Sequence, residues 1–131
     1  MPTFELNKLV RDKLPNEYSK NGQEAKYKEL SLEQYQHELI NKIIEEATEL
    51  GLEAATDKVI SEIADIRQVL ADLMKTYGIE EDQVIQKQLE KLEKIGGFSD
   101  ARYVTTIELA EQDEWVKYYR KKPDVYPEKN E

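Results

Sequence analysis

Acidic side chains border the apolar faces of two neighbouring segments within "IIEEATELGLEAATDKVISEIADIRQVL", at 43–70. On a helical wheel of about 100° per residue, Glu46 and Glu49 line one flank of the first apolar stripe. On the second segment, Glu62 lies inside the apolar stripe and Asp65 lies at its edge. Burying an ionised carboxylate costs several kcal/mol unless the group is paired or bound to a cation. The spacing therefore predicts that these acids have a partner.

The turn between the two segments adds a geometrical constraint. If two antiparallel helices reverse at 55–57, Glu49 lies opposite Glu62 and Glu46 lies opposite Asp65. The four carboxylates then form two levels about 5 Å apart along one interhelical seam. Like charges at that spacing raise one another's pKa values or recruit divalent cations, and oxygen-only ligands suit Mg²⁺ or Mn²⁺. The arrangement favours a metal site built from all four acids.

The alternative is a solvated acidic face, which is the usual role of Glu and Asp at spacings of three and four residues. For any single acid this is the better interpretation, and Glu45, almost opposite the apolar stripe, is predicted to point to water. Between Glu45 and Asp72, however, only Lys58 and Arg67 are basic. The acids as a group therefore lack the lysine partners that stabilise a solvated helical face.

Two long helices are needed to hold the acids, and the sequence marks their ends. Ser31 and Gln34 have the spacing of a capping box, and Gly78 suits a left-handed helix terminator. The helices are predicted from about 32 to about 55 and from near 57 to 77.

Shorter elements complete the prediction of an all-α fold. Further helices are expected at 80–95, in "PNEYSKNG" and in "QDEWVKYYRKK". "AKYKEL" at 25–30 suits a short strand or an extended connector, and the β-branched "RYVTTIEL" at 102–109 is a strand candidate.

The expected architecture is an antiparallel helical bundle, with minor short β strands left open near the N-terminus and at 102–109. We expect one domain at 1–122, followed by a mobile C-terminal tail at 123–131. Three long helices give too little cover for every apolar stripe, so self-association is expected.

Composition excludes several functional classes. The 131 residues contain no cysteine, which excludes disulfides, thiolate zinc sites and thiol nucleophiles. His37 is the sole histidine and is predicted to be exposed. A formal net charge of −9 argues against a nucleic-acid surface, although metal cations can mediate contact with a phosphorylated small molecule. With no signal-peptide pattern and no membrane span, we expect a soluble cytoplasmic protein.

Three motifs together resemble a known family. "EEATE" followed by "EIAD" resembles the EExxE…ExxD signature of the all-α nucleoside triphosphate pyrophosphohydrolases, the MazG-like superfamily. "NKLVRDKLP" near the N-terminus and "GGF" after the third helix are similar to its phosphoribosyl-ATP pyrophosphohydrolase-like subgroup. The resemblance covers roughly 5–100 and implies magnesium ligands at Glu46, Glu49, Glu62 and Asp65, with Glu45 at a less direct position.

The implied reaction is hydrolysis between the α- and β-phosphates, giving a nucleoside monophosphate and pyrophosphate. Noncanonical or surplus nucleoside triphosphates are the expected substrates, and Mg²⁺, with Mn²⁺ as the alternative, is the expected cofactor. Glu49 is the preferred acceptor of the proton of the attacking water, because it lies at the centre of the four-carboxylate arrangement. The resemblance also implies a homodimer or homotetramer with sites near subunit interfaces.

Basic residues supply candidate phosphate contacts. Lys8, Arg11 and Lys13 occupy one short segment, and an Arg fork suits phosphate oxygens. An ordinary ion pair between Arg11 and Asp12 is the alternative. Lys91 and Lys94, on the third long helix, are candidates for further positive charge.

The sequence departs from the subgroup pattern just before the two glycines. Ile95 stands where the subgroup commonly has Arg, so a phosphate contact is not expected at that position. Gly96 and Gly97 are expected to cap the helix.

Two further functions stay open on the sequence. One is the phosphoribosyl-ATP pyrophosphohydrolase reaction of histidine biosynthesis, and the other is a helical interaction module without catalysis. Trp115, Tyr118 and Tyr119 form an amphipathic patch that favours packing or a subunit contact over stacking on a nucleobase.

Overall fold

The computed structural model describes residues 1–129, and its regular elements there are five α-helices. In chain order they are α1 (Leu14–Lys20), α2 (Leu32–Leu52), α3 (Thr56–Thr76), α4 (Glu81–Ile95) and α5 (Trp115–Arg120). The predicted all-α fold is confirmed. None of these described helices combines the length and the apolarity that crossing a membrane requires.

The segments 25–30 and 102–109, where the sequence leaves a strand open, have no strand in the structure. A β-branched composition suits a pleated surface, but a strand is stable only when its backbone groups pair with another strand. No second strand is present within residues 1–129, so both segments are irregular connections.

The helices α2 and α3 form an antiparallel hairpin joined by a three-residue connection at 53–55. At the far end, the Gln36 amide near the start of α2 donates a 3.1 Å hydrogen bond to the Thr76 hydroxyl at the end of α3. The chain therefore reverses slightly before the position predicted from the sequence, and α2 is correspondingly shorter.

The seam of the hairpin follows a regular spacing of three and four residues on both helices. This spacing keeps one face of each helix toward its neighbour. The packed positions are Leu39, Ile43, Glu46 and Leu50 on α2, and Val59, Glu62, Ile66, Val69 and Leu73 on α3. Among the described residues, only Leu39 (4% exposed) and Glu46 (6% exposed) are buried. One of the two best-buried positions is thus an acid.

The ends of the long helices follow the predicted signals. The Ser31 hydroxyl accepts from the Gln34 backbone N–H at 3.3 Å, and the Gln34 side chain accepts from the Ser31 N–H at 3.2 Å. This reciprocal pair is the predicted capping box. Gly78 (φ +66°) and Gly96 (φ +79°) have left-handed backbone conformations after α3 and α4, as helix termination by glycine requires.

The chain divides into two compact units, Met1–Lys94 and a second unit that begins at Ile95. In the second unit the rings of Trp115 and Tyr118 lie 5.2 Å apart, and those of Tyr119 and Tyr126 lie 5.0 Å apart. These aromatic rings thus contact one another within their own unit. The domain bounds 1–122 and the mobility of the tail stay predictions, and the tail's last two residues, 130–131, lie outside the described part.

Replacing Leu39 by alanine tests whether the hairpin seam supports the fold. Leu39→Ala removes the one buried apolar side chain within residues 1–129, and Leu→Ala changes at buried sites cost about 2–5 kcal/mol. Leu52→Ala is the matched control because Leu52 is 82% exposed, and we expect a change within about 0.5 kcal/mol. Urea denaturation measures both. Equal losses in the two variants would show that the seam is not the main stabilising contact.

Candidate metal centre

Three of the four predicted metal ligands converge in the hairpin seam. Glu46 and Glu49 project from α2 and Glu62 projects from α3, and one carboxylate oxygen of each lies within 4.8 Å of the others. Glu46 is buried, Glu62 is half-buried and Glu49 is exposed. The cluster is thus closed on its inner side and open to solvent at Glu49. The three residues are called the acid cluster below.

Two oxygens of the acid cluster have no hydrogen-bond partner. Within the described residues, Glu46 Oε2 and Glu62 Oε2 are buried and accept no hydrogen bond. A buried acceptor without a partner carries its full desolvation cost. A divalent cation bound by carboxylate oxygens removes that cost, so the donor set fits Mg²⁺ or Mn²⁺.

The cluster raises the proton affinity of one member. A protonated Glu62 carboxyl group can donate a hydrogen bond to the Glu46 carboxylate, and this interaction is the main cause that raises the pKa of Glu62 to about 7. Burial and the negative charges of Glu46, Glu49 and Asp65 act in the same direction. Because crowded carboxylates repel when all are ionised, they share protons or recruit cations. The seam is therefore destabilised above neutral pH unless a cation is bound.

The fourth predicted ligand, Asp65, is paired with a cation from the N-terminal segment. The Arg11 guanidinium donates to Asp65 Oδ1, and both side chains are partly exposed. Arg11 therefore pairs with Asp65 and not with Asp12, the alternative partner considered from the sequence. Asp65 is close enough to raise the pKa of Glu62, so it borders the acid cluster without belonging to it.

Glu45 is held in ion pairs, whereas the sequence predicted that its side chain would point to water. Its side chain is 28% exposed and accepts from Lys8 at 3.1 Å and from Lys42 at 2.9 Å. The hydrogen bond from Lys42 lowers the pKa of Glu45, burial opposes it, and Lys8 reinforces the lowering. The N-terminal segment thus contacts the hairpin at two points, through Lys8 and Arg11.

Lys42 is the residue that sequence reasoning missed. Its ammonium also lies 3.5 Å from Glu46 Oε1, one turn along α2. Burial would lower the pKa of Lys42, but Glu45 and Glu46 outweigh it and raise the pKa. The spacing of three and four residues from Lys42 to these acids was the available signal.

The remaining predicted phosphate contacts are not brought to the acids. Lys13 is exposed at the start of α1, and Lys91 and Lys94 are exposed on α4. Within residues 1–129, none of the three forms an ion pair or hydrogen bond with the acid cluster. Lys91 instead borders a groove on α4 lined by Ile79 and Val84.

Comparisons of the chain with protein families, with curated proteins and with solved structures found no match.

The pKa of Glu62 predicts a pH-dependent effect of Glu62→Gln on stability. Because the folded pKa is about 7 and the ordinary value is 4.5, the folded chain holds the proton more tightly than the unfolded chain. The free energy of unfolding therefore falls as pH rises from about 4.5 to about 7. Without divalent cations, Glu62→Gln should match the wild type near pH 5 and exceed its melting temperature near pH 8.

The control for this comparison is Glu24→Gln. Glu24 is exposed between α1 and α2, so the same change of charge there should leave the melting temperature nearly constant at both pH values. A melting temperature of Glu62→Gln below that of the wild type near pH 8 would contradict repulsion within the acid cluster.

Proposed function

We propose that this protein is a magnesium-dependent nucleotide pyrophosphohydrolase that cleaves the α–β phosphate bond of noncanonical or surplus nucleoside triphosphates. The products are a nucleoside monophosphate and pyrophosphate. The observation that carries the proposal is the convergence of Glu46, Glu49 and Glu62, with two buried oxygens that accept no hydrogen bond. The resemblance of "EEATE", "EIAD" and "NKLVRDKLP" to MazG-like motifs adds to it.

In this proposal Glu46, Glu49 and Glu62 would hold Mg²⁺, or alternatively Mn²⁺, and Asp65 would be a further ligand if its ion pair with Arg11 were released. When bound, the ion neutralises triphosphate charge and lowers the pKa of a water molecule. Glu49 is the proposed general base, because it is the exposed member of the cluster and its carboxylate can reach a water on the solvent side. Glu46, buried at the seam, orients the cluster.

Lys8 and Arg11 are the proposed phosphate contacts of the N-terminal segment. Both already pair with acids beside the acid cluster, so a triphosphate bound at the cluster would lie next to these two cations. An Arg guanidinium binds phosphate through parallel hydrogen bonds. The proposed phosphate contacts also include Lys13, Lys91 and Lys94, for which positive charge is the only argument. The proposed setting is a cytoplasmic homodimer or homotetramer.

Two measurements test this function: the thermal stabilisation of the protein by a divalent cation, and the release of pyrophosphate from nucleotides. Saturating Mg²⁺ should raise the melting temperature, because a ligand at about 100 times its Kd stabilises the folded state by about 2.7 kcal/mol. A panel of standard, deoxy and damaged triphosphates plus phosphoribosyl-ATP should yield pyrophosphate from at least one member. Glu49→Gln should lower kcat by about a hundredfold or more, and Glu62→Gln should remove the Mg²⁺ shift. Glu24→Gln should change neither measurement.

The outcomes of this test separate the candidate functions. Pyrophosphate release from phosphoribosyl-ATP alone would assign the histidine-pathway reaction instead. Neither a Mg²⁺ shift nor pyrophosphate release is expected of a non-catalytic interaction module. Full activity in both Glu49→Gln and Glu62→Gln would exclude the acid cluster as the metal site.

The phosphate-binding role of Arg11 gives a separate prediction. Arg11→Gln should raise KM about tenfold or more, since a hydrogen bond to a charged group contributes about 1.5–3 kcal/mol. Its melting temperature should change little, because partly exposed ion pairs contribute about 0–1 kcal/mol. Arg67→Gln, at an exposed position on α3, is the control of equal charge. An unchanged KM in Arg11→Gln would assign Arg11 to its ion pair with Asp65 alone.

A further inference from the structure

Lys42 is the least exposed lysine among the ion pairs of the described residues. Its side chain is 19% exposed, whereas Lys20, Lys75 and Lys87 are between 67% and 80% exposed in their helical ion pairs. Lysine is almost never buried unless its ammonium is paired. The surroundings of Lys42 therefore differ from those of an ordinary solvated side chain on a helix.

Two adjacent acids share the Lys42 ammonium. Its nitrogen lies 2.9 Å from Glu45 Oε2 and 3.5 Å from Glu46 Oε1. Glu45 is also held from its other side, because Glu45 Oε1 accepts from Lys8 at 3.1 Å. Each oxygen of Glu45 thus has a cation beside it, and Glu45 holds Lys42 next to the acid cluster.

The contact with Lys42 gives the two oxygens of Glu46 different surroundings. Glu46 Oε1 faces the Lys42 ammonium, whereas Glu46 Oε2 is buried and accepts no hydrogen bond. The last torsion of a glutamate side chain has a broad range unless a neighbour restricts it. Because the ammonium restricts Oε1, it also restricts the position of Oε2. Glu46 Oε2 is therefore the oxygen left for a ligand.

A lysine beside a cation site also has an opposing effect, because like charges repel. If this repulsion dominated, Lys42 would weaken the binding of Mg²⁺. The charge of Lys42 is, however, matched by the carboxylate of Glu45 at 2.9 Å, so this pair adds no net charge beside the acid cluster. Orientation of Glu46 is therefore expected to outweigh repulsion.

We propose that Lys42 is a positioning residue for Glu46: held by Glu45, its ammonium restrains Oε1 and so directs Oε2 toward a divalent ion in the acid cluster. Groups that contact a metal ligand from behind orient it, and their loss lowers metal affinity by about 10–100-fold. The inference rests on the proposed function in one respect, since it requires that the acid cluster binds Mg²⁺. It depends neither on the identity of the nucleotide nor on hydrolysis.

Calorimetric titration of Mg²⁺ into the metal-free full-length protein, without nucleotide, tests this role. Lys42→Met keeps the aliphatic stem and removes the ammonium, so the affinity for Mg²⁺ should fall about tenfold or more. Lys42→Arg keeps the positive charge and should restore most of the affinity. Lys8→Met is the matched control, because the described ion pair of Lys8 is with Glu45 alone, and its affinity should change much less.

The sign of the change separates orientation from charge. Loss of an orienting contact weakens the binding of Mg²⁺, whereas loss of a repelling charge strengthens it. Unchanged or tighter binding in Lys42→Met would overturn the positioning role and leave the acid cluster standing as the metal site. Absence of Mg²⁺ binding in the wild type would instead contradict the metal site itself, and the positioning role with it.

The Mg²⁺ dependence of pyrophosphate release separates orientation from a merely structural role. Lys42→Met should need about ten times more Mg²⁺ than the wild type for its half-maximal rate, and its kcat at saturating Mg²⁺ should approach that of the wild type. A lower kcat at every Mg²⁺ concentration, with an unchanged Mg²⁺ requirement, would overturn the proposal. Lys42→Gln replaces Lys42→Met in both measurements if the methionine variant does not fold.

Discussion

Carboxylates crowd the α2–α3 seam, and ion pairs with Lys8, Arg11 and Lys42 surround them. Glu46 occupies a packed position that the spacing of the seam would otherwise give to an aliphatic residue, and Glu62 faces it from α3. Two buried oxygens without hydrogen-bond partners lie in the same place. An arrangement that costs folding free energy in this way is expected where the acids bind a ligand.

Each cation near the seam pairs with a particular acid. Lys42 and Lys8 compensate Glu45, and Arg11 compensates Asp65. Lys42 also approaches Glu46 from one side. These three cations thus lie around the acid cluster, and two of its buried oxygens have no hydrogen-bond partner.

Much of this could be predicted from the sequence, because local signals determine it. The capping box at Ser31, the glycine that follows α3 and the period of the apolar residues depend on near neighbours along the chain, and the structure has each of them. The convergence of Glu46, Glu49 and Glu62 was predictable because a short turn between two amphipathic helices determines which positions face each other.

The rest required contacts between distant parts of the chain. The pairing of Arg11 with Asp65 joins residues 54 positions apart, and no periodic pattern indicates it. The pairing of Glu45 with Lys8 was missed for the same reason, since Lys8 comes from the N-terminal segment, whereas its pairing with Lys42 had a local signal in the sequence. The β-branched residues at 102–109 suggested a strand, but pairing decides whether a strand forms, and the described residues offer none.

Calorimetric titration of Mg²⁺ into the metal-free protein tests the central claim most directly, because it requires no substrate. The wild type should bind Mg²⁺ saturably, and a variant carrying both Glu46→Gln and Glu62→Gln should not bind it while remaining folded. Absence of saturable binding in the wild type, or equal affinity in the double variant, would contradict the account.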